Sequence, residues 1–202
     1  MRKGCRLNDL KETNAAVVGD ILGRSFADDP VNDWIFTNVK GKATYFAQVA
    51  KKKYQPEGFG HVDTEQRGAS MWLPPGVSKE IPILKSLDIA AGMIRNGGFK
   101  SLVRGMKFDV GMESRKLTVP FFYLFAIGTT PEARGHGVGG KLMEAGLKLV
   151  DSHAMPAYLE SSKPSNITFY RRYGFEVIEE FSPTAGCPPL WLMWREANPG
   201  VQ

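Results

Sequence analysis

Residues 130–140 of this 202-residue chain read Thr-Pro-Glu-Ala-Arg-Gly-His-Gly-Val-Gly-Gly. Shortly before them, residues 121–127 form a continuous apolar run, Phe-Phe-Tyr-Leu-Phe-Ala-Ile, and such a short, aromatic run predicts a strand buried on both faces. Apolar residues at helical spacing follow the glycines, so the stretch predicts a strand, a glycine-rich loop and a helix in succession. The apolar stripe predicted for that helix is Val138, Leu142, Ala145 and Leu149.

The glycine-rich loop is suited to a phosphorylated ligand. Glycine lets the backbone turn tightly and approach a ligand closely. The unpaired amides at the start of the following helix, together with the helix dipole, favour an anion. We therefore expect the loop to hold a diphosphate.

Two other interpretations of this loop are open. Residues 135–140 also satisfy the dinucleotide pattern GxGxxG, and Glu160 lies about 20 residues further on, where a ribose-binding acid is expected. Against this, residues 128–134 separate the first glycine from its strand, little sequence remains for a doubly wound sheet, and the upstream strands are hairpin-like. A ligand-free turn is disfavoured because four glycines in six residues are costly in chain entropy.

The remaining sequence predicts alternating helices and strands. The predicted helices are a first one capped by Asp9 and ending near residues 27–30, then residues 43–53, 84–115 with a break at 96–98, and 166–172. The predicted strands, besides 121–127, are residues 59–63, 69–73, 156–160, 175–181 and 190–194. This order predicts an α/β (α+β) fold with a mostly antiparallel sheet of about six to seven strands, one parallel crossover and flanking helices. We expect one domain over residues 1–202, with a helical insertion at about 84–115.

Composition narrows the classes of function. The net charge of +5 fits an anionic ligand and does not require nucleic acid. No apolar run is long enough to span a bilayer, so we expect a cytoplasmic protein without a membrane partner. His61, His136 and His153 are not spaced as a metal-binding pair, and we expect no metal. Cys5 and Cys187 are expected to be free thiols.

Two segments resemble the signatures of the GNAT acyltransferase family. Residues 134–139, Arg-Gly-His-Gly-Val-Gly, are similar to its pyrophosphate-binding signature, and residues 166–175, from Asn166 through Tyr170 to Gly174 and Phe175, are similar to its second signature. Residues 26–30, 71–75 and 158–162 resemble puromycin N-acetyltransferase-like members and extend the similarity over most of the chain.

The resemblance implies a GNAT-type fold and an acetyl-CoA-dependent N-acetyltransferase. It implies that the main chain of Phe125, Ala126 and Ile127 lines the pantetheine arm and that Asn166 hydrogen-bonds this arm. It implies that the pyrophosphate is held by the main-chain amides of Arg134, Gly135, His136, Gly137, Val138, Gly139 and Gly140. Tyr170 stands at the position of the family's usual general acid.

The chemistry needs few side chains. A neutral amine attacks the thioester directly, so the protein mainly positions the reactants, and an amide near Ala126 is expected to stabilise the developing oxyanion. Tyr170, with an ordinary pKa near 10, is the expected proton donor to the thiolate; the alternative is a core aromatic. Glu160 is the first candidate for the base, with water and a structural carboxylate as alternatives. His136 is expected to act through its backbone.

The acceptor side is less defined by the sequence. Asp28, Asp29 and Asp33 either attract a cationic acceptor or form an exposed acidic helix end. Trp34 and Trp72 either line this side or belong to the core.

The partners follow from the same residues. The expected partners are acetyl-CoA and a small-molecule amine, because the inserted helices would cover the acceptor site, in a monomer or homodimer. The alternatives are a non-catalytic acyl-CoA sensor, O-acylation, and acetylation of a protein or peptide.

Overall fold

A single seven-stranded sheet, in the order β1-β2-β3-β4-β5-β7-β6, forms the centre of the protein in a computed structural model that describes residues 5–81 and 83–198. The strands are β1 Leu7–Asp9, β2 His61–Asp63, β3 Gly68–Leu73, β4 Phe122–Thr129, β5 Ala157–Ser161, β6 Glu176–Phe181 and β7 Leu190–Arg195. Neighbouring strands are antiparallel except β4 and β5, which confirms the predicted sheet with one parallel crossover. One domain over residues 1–202 stays a prediction, since residues 1–4 and 199–202 lie outside the described ranges.

Helices flank both faces of this sheet. They are α1 Ala15–Ser25, α2 Pro30–Ile35, α3 Val39–Val49, α4 Gln55–Glu57, α5 Ile83–Glu113, α6 Val138–Ser152 and α7 Ile167–Arg171. A π-helical turn, Ala50–Tyr54, joins α3 to α4. Strand β1 and helix α2 are absent from the sequence-based prediction, because both are too short to show a periodic pattern.

The predicted start of the first helix was wrong. The carboxylate of Asp9 accepts from the amide of Lys11 at 2.8 Å, but it caps only a three-residue 3-10 helix. Thr13 is then extended, and α1 begins with the side chain of Asn14, which accepts from the amide of Ala16 at 2.8 Å. Asn and Asp cap helices about equally well, so the sequence around residues 9–14 offers two starts of similar strength.

The long helical insertion between β3 and β4 is interrupted as predicted. Gly98 has φ +72° and ψ 177° inside the span of α5. Glycine adopts such a backbone without the steric cost that a Cβ imposes. The insertion packs against α2 and α3, on the face of the sheet that also carries α1.

A β-bulge interrupts strand β4 at Phe125. The pairing of β3 with β4 passes from Trp72–Leu124 directly to Met71–Ala126, which leaves Phe125 without a partner. An extra residue of this kind bends the strand that carries it and increases its twist.

The parallel pairing of β4 with β5 ends just before that bulge. It is confined to Phe122–Leu124 opposite Ala157–Leu159, although β4 continues to Thr129. Beyond Leu124 the two strands diverge. A cleft therefore opens in the sheet where the bulge redirects β4.

The predicted apolar stripe of helix α6 is right at Val138 and Leu142, which are buried, but the buried face then turns away from the predicted one. Its buried positions include Leu142, Met143, Gly146, Leu147 and Val150. The prediction that Leu149 is buried was wrong, since it is 37% exposed. A Cβ at Gly146 would lie 2.6 Å from the indole nitrogen of the fully buried Trp72, so the closest approach of α6 to the sheet is centred on a glycine. Trp72 is consequently a core residue between sheet and helix, not part of an acceptor site.

Replacing Gly146 with alanine should destabilise the protein. Alanine favours a helix over glycine by about 1 kcal/mol. Here the added methyl group overlaps the indole of Trp72, and overpacking of this kind costs about 1–3 kcal/mol. Urea denaturation of Gly146→Ala should therefore show a lower free energy of unfolding.

A Trp72→Phe background provides the control for this substitution. The smaller ring leaves room for the methyl group, so the cost of Gly146→Ala should shrink in that background. Stabilisation by Gly146→Ala in the parent chain would contradict the contact.

Candidate functional site

The cleft between β4 and β5 brings together the predicted site residues of β4, β5 and α7. Its lining includes the bulged part of β4, the end of β5 and the start of α7. The predicted residues that line it are Phe125, Ala126, Ile127, Glu160, Asn166 and Tyr170. Phe26 from the end of α1 and Ser162 from the segment after β5 complete its walls.

The main chain of β4 is exposed along this cleft. In the described sheet, β4 has no parallel partner from Phe125 to Thr129, so its groups facing β5 are left without strand hydrogen bonds. Main-chain donors and acceptors seek partners. An extended ligand with amide groups can pair with them as an added strand does.

The loop before α6 presents unpaired amides at one end of the cleft. The amides of Arg134 and His136 bond to the carbonyls of Pro131 and Ala133. Within the described ranges, no hydrogen bond is found for the amides of residues 135, 137 and 138–140, the last three forming the first turn of α6. Unpaired amides and the dipole of a 15-residue helix are features that favour an anion.

Two glycines give this loop its shape. Gly135 and Gly137 have φ values of +78° and +80°. A Cβ at Gly139 would lie 3.6 Å from Thr129 at the end of β4, so the loop adjoins the open part of that strand. The imidazole of His136 turns back onto its own loop, with Nδ1 3.0 Å from the carbonyl oxygen of Arg134.

The predicted acidic cluster after α1 is not a free acidic surface. Asp28 pairs with Arg134 at 3.1 Å and with Lys163 at 2.7 Å, and these cations hold its pKa well below the usual range. Asp33 pairs at 2.5 Å with the buried ammonium of Lys42. Because their charges are compensated, these two carboxylates do not form a site that attracts cations.

Asp29, the third member of that cluster, fixes the wall of the cleft. It is 1% exposed, and its Oδ1 accepts from the amide and the side-chain nitrogen of Asn32, both at 2.9 Å. Its Oδ2 accepts from the hydroxyl of Ser162 just after β5. Asp29 therefore ties the α1–α2 turn to the end of β5. The sequence signal for its capping role is the proline that follows it, at the first helical position of α2.

Tyr170 supplies a protonated hydroxyl to the cleft. Burial raises its pKa, and the negative charge of Asp29 raises it further, so the phenol stays protonated at neutral pH. No hydrogen bond joins its hydroxyl to any of the described residues, although its ring packs against Phe169 and Phe175. The hydroxyl can therefore donate to a ligand.

Glu160 is a buried carboxylate at the same cleft. Its side chain is 9% exposed, and Oε2 accepts from the hydroxyl of Tyr123 at 2.5 Å. The ammonium of Lys79 lies 3.6 Å from Oε1, and the ring of Tyr158 stacks on that of Tyr123. Burial, and then the charge of Glu160, raises the pKa of Tyr123 well above its ordinary value.

Sequence reasoning did not identify these neighbours of Glu160. The only sequence signal at Tyr123 and Tyr158 is that each places a hydroxyl group in an apolar run. Their contact depends on the parallel register of β4 and β5, in which they are direct partners. Lys79 lies in an irregular segment and offers no signal at all.

The described ranges contain neither a candidate metal-binding cluster nor a candidate membrane-spanning helix. Residues 5–81 and 83–198 hold no group of three or more His, Cys, Asp or Glu side chains that could bind a metal ion. In the same ranges no helix has the length and apolar character needed to cross a membrane.

A family model described as an acetyltransferase (GNAT) domain matches residues 52–178. The chain belongs to the GNAT acetyltransferase family. Members of this family use acetyl-CoA as co-substrate and acetylate amines of small molecules or peptides. The predicted GNAT-type fold is thus confirmed.

Individual GNAT relatives are distant. An uncharacterized N-acetyltransferase of Schizosaccharomyces pombe is 24% identical over 96% of this chain and 82% of its own length. A mycothiol acetyltransferase of Arthrobacter sp. is 36% identical over 26% of this chain and 17% of its own length.

Two solved GNAT structures share the fold over nearly the whole chain. A structure of histone acetyltransferase HPA2 and related acetyltransferase from Corynebacterium glutamicum has a TM-score of 0.68 at 19% identity, covering 98% of this chain and 100% of its own. Arylalkylamine N-acetyltransferase 2 of Aedes aegypti has a TM-score of 0.62 at 14% identity, covering 97% and 100%.

Substituting Asp29 should destabilise the protein. Asp29→Ala removes a helix cap and leaves the hydroxyl of Ser162 without its partner, for an expected loss of about 2 kcal/mol. Thermal or urea unfolding measures this. Asp20→Ala is the matched control, because Asp20 is 67% exposed and its ion pair should contribute less than about 0.5 kcal/mol. Equal losses for the two variants would show that Asp29 has no special structural role.

Proposed function

We propose that this protein transfers the acetyl group of acetyl-CoA to the amine of a small molecule. The observation that carries the proposal is the cleft between β4 and β5, which joins unpaired main-chain groups to an anion-binding loop. A protonated phenol and a buried carboxylate line the same cleft. The family to which the chain belongs supports the class of reaction.

The groups along the cleft match acetyl-CoA in their order. We assign the pantetheine arm, which carries amides, to the main chain of residues 125–127 and to Asn166. We assign the pyrophosphate to the loop of residues 134–140, in which the unpaired N–H groups of residues 135 and 137–140 favour an anion, whereas the predicted amides of Arg134 and His136 already bond to loop carbonyls. His136 takes part through its backbone only, since its ring turns back onto the loop.

Acetyl-CoA supplies an activated acyl group, and the protein supplies positions for charge and protons. We assign a main-chain amide beside Ala126, at the bulge, to the negative charge that develops on the acyl oxygen. We assign Glu160 to the proton that the acceptor amine loses and Tyr170 to the proton that the sulfur gains. The raised pKa of Tyr170 keeps this proton available.

Burial around Glu160 favours a small acceptor over a protein. Glu160 and Tyr123 are each 9% exposed, and apolar residues of α5 and of the segment before it pack over this face of the sheet. An enclosed carboxylate suits a small molecule, whereas a peptide needs an open groove. A non-catalytic binder needs neither Tyr170 nor Glu160. The cytoplasmic location and the monomer or homodimer state stay predictions.

Tyr170→Phe should slow the reaction without weakening the binding of acetyl-CoA. Losing a general acid lowers kcat by about 10²-fold, while the retained ring keeps the cleft filled. Release of free CoA thiol from acetyl-CoA, with a panel of small amines as acceptors, measures kcat and KM. Tyr173→Phe is the matched control, because Tyr173 lies outside the cleft lining and loses the same atom. An unchanged kcat in Tyr170→Phe would remove the residue from the mechanism, and a failure of acetyl-CoA to bind would remove the proposed function.

Glu160→Gln should lower kcat/KM in a pH-dependent manner. The amide cannot accept the proton of the incoming ammonium, so we expect a loss of about 10²-fold near neutral pH. The deficit should narrow towards about pH 9.5, because more of the acceptor then arrives as the neutral amine. A pH profile of both forms measures this. A constant ratio at all pH values would assign Glu160 a structural role.

A further inference from the structure

Two buried oxygen atoms on the acceptor side of the cleft have no hydrogen bond. Among the described residues, neither Oε1 of Glu160 nor the hydroxyl of Tyr158 has a partner in good hydrogen-bond geometry, although the two groups are neighbours: burial, and then the charge of Glu160, raises the pKa of Tyr158. Buried polar atoms in native proteins are usually paired, so each orphan of this kind calls for an explanation. Both oxygens accept N–H donors, and Glu160 carries a negative charge.

Lys79 is the cation nearest to this pair of oxygens. Its ammonium lies 3.6 Å from Oε1 of Glu160, outside hydrogen-bond distance, and 5.7 Å from the ring centre of Tyr123. Its side chain is 36% exposed and reaches inward from the irregular segment between β3 and α5. The neighbouring Glu80 pairs with Lys116 instead, at 2.9 Å.

We propose that Lys79 occupies, in the free protein, the place of the acceptor's ammonium group, and that the acceptor is a small primary ammonium that displaces it. This inference rests on the proposed function of the cleft. A primary ammonium carries three N–H donors, enough for Oε1 of Glu160 and the hydroxyl of Tyr158 together. It can also lie over the ring of Tyr123, as Lys79 does. Lys79 is attached to the backbone and stops short of hydrogen bonding, whereas a free amine has no such tether.

The surrounding side chains indicate what kind of group the acceptor's ammonium is attached to. The ring of Tyr54 stacks on that of Phe125, with 4.8 Å between the ring centres, and Phe26 lines the same cleft as Phe125. These rings suit an apolar or aromatic body. A carboxylate next to the amine would be repelled by Glu160, so the class is a simple primary amine on an apolar or aromatic group. Lys79 is then a specificity-determining residue, because any acceptor must compete with it.

Binding of 2-phenylethylamine to the full chain tests this inference without turnover. The titration is followed by calorimetry, with CoA present and absent, and 2-phenylethanol serves as the neutral probe of the same shape. Lys79→Met removes the competing charge and keeps the apolar stem, so it should bind the amine about three- to tenfold more tightly than the parent chain. Its affinity for the alcohol should be unchanged.

Three variants serve as controls. Lys79→Arg keeps a competing cation and should bind the amine as weakly as the parent chain. Lys116→Met removes a lysine that pairs outside the cleft and should change nothing. Glu160→Gln should abolish the preference for the amine over the alcohol.

The outcomes separate this inference from the proposed function. The role of Lys79 would be overturned if Lys79→Met bound the amine no more tightly than the parent chain. It would also be overturned if the amine and the alcohol bound with equal affinity, or if neither form bound the amine. Failure of CoA to bind contradicts the proposed function instead, and the titrations without CoA still decide the role of Lys79.

Discussion

The β-bulge at Phe125 is the constraint on which the rest of the site depends. A continuous parallel ladder between β4 and β5 would pair the main chain of both strands and leave no room between them. The extra residue bends β4 where that ladder ends, after Leu124. The loop before α6 follows directly from the end of this bent strand. One local irregularity therefore produces the cleft and sets its direction.

The charged residues around the cleft mainly hold its walls in place. Asp28 joins the loop before α6 to the segment after β5 through Arg134 and Lys163. Asp29 makes a second tie to the same segment through Ser162. The buried ammonium of Lys42 bonds to the carbonyls of Phe26 and Ala27, which keeps the turn after α1 in position. Because these ties cross between elements far apart in the sequence, the cleft keeps its shape without a continuous sheet beneath it.

The sequence could reveal local structure but not the contacts that depend on register. The glycine loop, the apolar run at residues 121–127 and the break at Gly98 are each encoded within a few residues, and they were predicted well. The buried face of α6 was predicted at Val138 and Leu142 but not in its second half, where the helix packs Gly146 against the distant indole of Trp72. The tyrosines around Glu160 meet through strand pairing, and no local pattern records such pairing.

The short parallel pairing also bears on cooperativity. Strands β1–β4 form one antiparallel unit and β5–β7 another, and the register between these units is only three residue pairs long. The coupling between the two units therefore falls mostly to the crossover helix α6 and to side-chain packing. In terms of partial unfolding, this arrangement favours two foldons that share a narrow boundary. A molecule bound across that boundary contacts both units, so its binding free energy adds to the free energy needed to separate them.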